Sequence, residues 1–135
     1  MDARAFFQNI AARNYFEFFR HPNDLTLWNA VVSMNSVAEH LALHRLDYAP
    51  TSRTELGRSA QEIRERHDLT DLQFCADTFK HVRKIKDQRG DASFSLQATS
   101  TGVTSDRATW KIGDFDVVEV LQNAFAKLNQ LPELR

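Results

Sequence analysis

At 135 residues, with 17 basic against 18 acidic side chains and a formal charge of −1, the chain is long enough to build one self-supporting core. That balance argues against a protein that binds nucleic acid or a membrane surface through its global charge. Cys75, the only cysteine, excludes an intramolecular disulfide, and 4 Gly with 3 Pro favour helices over a sandwich or barrel.

The N-terminus, MDARAFFQNIAARNYFEFF, is neither a signal peptide nor a membrane span, because charged residues interrupt its apolar run. With the lone thiol, this sets the expectation of a cytoplasmic protein with no membrane partner. Ala3 to Arg20 has helical spacing, with Phe7, Ile10, Ala11, Asn14, Tyr15, Phe18 and Phe19 on one face and Arg13, Glu17 and Arg20 opposite. Five of the 10 phenylalanines fall here, and Phe6 and Phe16 lie off the main stripe. Such an excess suits a second neighbour or another copy of the chain.

His21-Pro22-Asn23-Asp24 stops that helix, and Asn23 or Asp24 can cap the next. Leu25 to Tyr48 then reads as a central helix about 36 Å long. Its apolar residues cover an arc from about 60° to about 300°, with His40 at zero. The remaining strip holds Thr26, Asn29, Ser33, Ser36, His40, His44 and Asp47, small and mostly uncharged side chains that suit a packing or ligand seam.

Ala49 to Arg53 is a linker. A third helix runs from Thr54 to His67, with Leu56, Ala60, Ile63 and His67 on a thin stripe and Arg58, Glu62, Arg64, Glu65 and Arg66 off it. Glu62, Glu65 and Asp68 read as solvated. Thr70 with Gln73 has the spacing of a capping box for a fourth helix, Asp71 to about Gln88, whose apolar face carries Leu72, Phe74, Cys75, Phe79, Val82 and Ile85. Arg89-Gly90-Asp91 breaks the pattern. Ala92 to Ser100 and Arg107 to Ile112 alternate as strands around a tip at Gly102, predicting a hairpin at about 92–112 laid on the helices. Asp116 with Glu119 caps a last helix, Val117 to Gln130, ended by Pro132. The expected fold is mainly α: one domain over residues 1–135, a bundle of about five helices with a β-hairpin before the last.

Candidate chemistry centres on histidine. His40 and His44, at i and i+4, point the same way and have the spacing two imidazoles need to share a divalent metal, with His81 as third ligand. Asp77, one turn before His81, has the position of a carboxylate that fixes its tautomer. The bland alternative makes His40, His81, Asp77, Ser36 and Ser33 a polar site that orders one helix against another, with no cofactor. Lys80, Arg83, Lys84 and Lys86 form the densest basic run, a candidate phosphate-contacting face, although no aromatics for base stacking are interleaved with them. Cys75, on an apolar face, reads as an inert thiol.

Ala38-Glu39-His40-Leu41, Leu72 through Cys75, and Asp77-x-x-Lys80-His81, followed by hairpin and helix, resemble a group of uncharacterised bacterial helical proteins with His-Leu on a long helix and a later Lys-His stretch. The resemblance covers most of the chain from about residue 23 and carries over to His40, Leu41, Lys80 and His81, with no activity to transfer. More distantly the bundle is similar to HEPN domains, often ribonucleases or toxin partners. Their Arg followed four to six residues later by His has no counterpart here, since Arg64 is too near His67. The leading expectation is a non-enzymatic interaction domain that forms a homo-oligomer or binds a protein. A nucleic-acid-associated toxin or antitoxin type of protein and a metal-dependent hydrolase using His40, His44 and His81 are the alternatives.

Overall fold

The computed structural model describes residues 1–49, 51–80, 94–100 and 108–135. The expected Gly90 break, the Gly102 tip, the extension of the fourth helix toward Gln88, and His81, Arg83, Lys84 and Lys86 lie outside the described residues.

The N-terminal helical run is α1 (Ala3–Phe6), a π-turn (Phe7–Ala11) and α2 (Ala12–Arg20), with Asp2 accepting from the Ala5 amide at 2.7 Å as the N-cap. The π-turn was not legible in the sequence. Residues four apart advance by about 40° per step in an α-helix, and one wider turn offsets that drift. It keeps Ala3, Phe7 and Ala11 buried on one line. Ile10 and Phe19, expected on the core face, are each 37% exposed.

α3 (Asp24–Arg45) is the central helix. Asn23 caps it, accepting from the Thr26 amide at 2.9 Å, while Thr26 Oγ1 accepts from the Asn23 amide at 3.1 Å. Leu27, Val31, Met34, Val37, Leu41 and Ala42 are buried along it, as a helix apolar nearly all round requires. It stops short of the expected Tyr48. Asp47 takes a left-handed φ of 54°, and the amides of Asp47 and Tyr48 turn back onto the carbonyls of His44 and Leu43. α4 (Arg53–Arg66) ends the same way, with Asp68 at φ 56° and the Leu69 amide on the Arg64 carbonyl at 2.7 Å. Both are Schellman caps with aspartate where glycine is commonest.

Ser52 caps α4, its hydroxyl accepting from the Glu55 amide at 3.1 Å. In α5 (Thr70–Lys80) the expected capping box is absent: Thr70 is already helical, and the Gln73 amide group donates to Gln61 at 2.7 Å, joining α5 to α4. β1 (Phe94–Ser100) pairs antiparallel with β2 (Ala108–Ile112), with a register shift between Ser95 and Thr99. A short β3 (Phe115–Asp116) adds to β2 through the turn at Gly113, whose φ is 57°. Asp116 caps α6 (Val117–Leu128), accepting from the amides of Val118 and Glu119, and Pro132 opens a closing 3-10 turn, Pro132–Leu134.

The chain is thus mainly helical with a hairpin before the last helix. The hairpin is fastened by Trp110: its ring meets Phe18 edge-on at 5.3 Å, and its Nε1–H donates to Asp24 at 2.9 Å, at the start of α3. Among the described residues, no helix is long and apolar enough to cross a membrane.

Candidate functional site

The polar strip of α3 faces the N-terminal helical run. Ser33, buried, accepts from Asn14 Nδ2 of α2 at 3.1 Å and returns its own proton to the Asn29 carbonyl. Ser36 donates to the Val32 carbonyl at 3.0 Å. Both hydroxyls therefore have helical carbonyls as acceptors, as serines within helices often do.

His40, one turn further on, lies under Phe6, with ring centroids 3.9 Å apart and planes 15° from parallel. Burial holds its pKa below the ordinary value of 6.5, with the N-terminal ammonium lowering it further and Glu39 opposing. A neutral imidazole stacked on a phenyl ring suits that setting. His44 is exposed and meets Tyr48 edge-on at 6.2 Å.

Asp77 is half-buried on α5, whose Phe79 stacks on Trp28 at 5.4 Å. Trp28 and His40 are twelve residues apart, about 18 Å along the axis of α3. His81 lies outside the described residues. Among those described, no group of three or more His, Cys, Asp or Glu is arranged to hold a metal ion. Of the basic run, Lys80 is exposed at the end of α5, and Arg83, Lys84 and Lys86 are outside the described residues.

A second polar centre was missed in the sequence. Arg64, placed above off the apolar stripe of its helix, is buried between α4 and α3. Its Nε–H donates to Asn35 Oδ1 at 3.1 Å, and Nη2 donates to the Asn35 carbonyl at 3.1 Å and to Glu39 Oε1 at 2.8 Å. The fork geometry of guanidinium makes such a buried cation tolerable, since its donors meet acceptors on two turns of one helix. Glu39 Oε2 is shielded and has no partner among the described residues.

Two signals could have found this centre. Asn35 and Glu39 project to about 220° and 260°, isolated polar residues inside the apolar arc of α3. Arg64 lies only about 40° from Ala60, on the shoulder of the α4 stripe.

A third set closes one end of the molecule. Arg45 grips Glu133 with two bonds of 3.1 Å, which holds the Glu133 carboxyl below its usual range. Beside them His67 is kept below its ordinary pKa, first by burial and then by Arg45 and Arg66, and its Nε2 is buried without a partner among the described residues. Gln8 donates to the Leu134 carbonyl at 3.0 Å, tying the N-terminal run to the closing turn.

These groups are mostly committed to one another, and none forms a nucleophile with its base. Burial pushes the Cys75 thiol up to about 12, so it stays protonated at neutral pH. A depression of about 110 Å³ between α5 and α6 is lined by Asp68, Asp71, Asn123 and Lys127. It is smaller than the few hundred Å³ of common ligand pockets. Lys127 already donates to Asp68 Oδ2 there at 3.2 Å. Compared with family models, characterised proteins and solved structures, the chain has no match.

Proposed function

We propose that the chain is an interaction domain that self-associates through the outer face of its N-terminal helix. The observation that carries this reading is Phe16, 54% exposed on α2, with Phe19 and Ile10 each 37% exposed nearby in the same helical run. Phe6, the other aromatic expected off the stripe, is taken up inside the chain by His40. Among the described residues, Phe16 meets other rings only edge-on, Phe125 at 5.5 Å and Tyr15 at 5.3 Å, and about half of the residue stays open to water. An aromatic centre with a charged surround is the anatomy of a protein interface.

Light scattering on the purified chain at tens of micromolar should give twice the 15.5 kDa chain mass. Phe16→Ser should weaken the dimer by roughly 2 kcal/mol, about thirtyfold in Kd, while the helical circular dichroism spectrum of the folded chain stays unchanged. A mass of one chain for the unmodified protein would end the proposal.

A further inference from the structure

We infer that the two copies pair antiparallel along α2, about a two-fold axis near residue 15, so that Arg13 of each chain faces Glu17 of the partner subunit. This rests on the self-association reading above and adds its geometry.

The face itself comes from projection. With Arg13 at zero, Glu17 lies at about 40°, Arg20 at about 340° and Phe16 at about 300°, while buried Phe18 lies on the far side at about 140°. Arg13, Phe16, Glu17 and Arg20 are all exposed, so an aromatic ring stands at the edge of three charged side chains on one solvent-facing side.

Those charges select an orientation. A parallel pair sets Arg13 against Arg13 of the partner subunit and Glu17 against Glu17 of the partner subunit, like against like. An antiparallel pair about residue 15 sets residue 13 opposite residue 17 twice, joining opposite charges on both sides of the axis. The same register brings the two Phe16 rings to either side of the axis, less than one helical turn apart. It also sets Ile10 level with Arg20 of the partner subunit, whose methylene stem can cover it.

Among the described residues of one chain, Glu17 has an ion pair only with Arg20, at 3.6 Å, with side-chain exposures of 47% and 69%. An exposed pair of that kind contributes little, so exchanging it for an intermolecular one is not costly.

The test is a charge swap on the full chain, read by sedimentation equilibrium with circular dichroism as the check of folding. Arg13→Glu and Glu17→Arg should each raise the dimer Kd by about tenfold, because the two-fold axis repeats every changed pair. The double variant, and equally an equimolar mixture of the two single variants, should return to the unmodified Kd within about threefold. Singles that dimerise as tightly as the unmodified chain overturn the antiparallel register while leaving self-association standing. A double variant as weak as the singles overturns it too. An unmodified chain that stays monomeric removes the self-association reading itself.

Discussion

Along α3, the strip of Ser33, Ser36 and His40 and the pair Asn35 and Glu39 lie on different sides of one helix, and polarity is accommodated differently on each. The strip needs little from its neighbours. Its serines bond to carbonyls of their own helix, and only Asn14 reaches in from α2, while His40 is neutral under a phenyl ring. Asn35 and Glu39 depend on one side chain of another helix, Arg64, for three hydrogen bonds. A contiguous polar strip can face a helix without ion pairing. An isolated polar pair inside an apolar arc is costly to bury without partners, and here Arg64 meets most of that cost, leaving Glu39 Oε2 alone without a partner among the described residues.

The sharpest way to break that contrast is Arg64→Ala. Removing the guanidinium leaves buried Asn35 without its partner while Glu39, its side chain 43% exposed, keeps contact with water, and urea unfolding should show a loss of about 2 kcal/mol. Replacing all three together, as Arg64→Met with Asn35→Leu and Glu39→Leu, should recover most of it, since the cost lies in unpaired groups rather than in lost attraction. A loss under about 1 kcal/mol for Arg64→Ala would mean an ordinary surface pair.

On the strip, Phe6→Ala should cost less, about 1.5 kcal/mol, by removing a half-buried ring and its stack. The informative readout is His40. With the cover gone, water reaches the imidazole, and its pKa followed by NMR should move up toward 6.5. An unmoved His40 would place the cause of its shift outside the Phe6 contact.

The smallest expected effect is the dependence of stability on pH. His40 and His67 both have folded pKa values below 6.5. The unfolded chain therefore binds protons that the folded imidazoles resist, so stability is full above about pH 6.5 and declines as the pH falls below it. The decline levels off once the folded imidazoles also titrate. Glu133 adds a further loss in more acid solution, as the pH falls from its ordinary 4.5 through its lowered folded value. Melting temperatures between pH 8 and pH 5 should fall more steeply for the unmodified chain than for a His40→Gln, His67→Gln double variant. Equal slopes would assign the dependence to other groups.

Much of the helical frame was legible because its determinants are local. Periodicity placed α3 and α6, Asn23 and Asp116 act as caps, and alternation through Trp110 and Ile112 marked β2 and its buried side. The helix ends were less legible. Asp47 and Asp68 occupy left-handed positions where the sequence offers no glycine to advertise them, and Gln73 binds Gln61 instead of closing a cap. Ser33 and His40 lie on one strip of α3, and the N-terminal helical run packs over it. Which chain segment lies over a strip depends on helix packing, and the strip itself carries no record of it.

By itself, then, the sequence determined where helices and strands form, which faces are apolar, and that α3 stands at the centre, because each follows from spacing over a few turns. The tertiary structure alone decided that Arg64 is an inside residue, that Phe6 rather than solvent covers His40, and that Trp110 latches the hairpin to Asp24. Each of those contacts joins residues more than twenty positions apart. Their energies come from desolvation and hydrogen-bond geometry between elements, which no periodicity within a single element encodes.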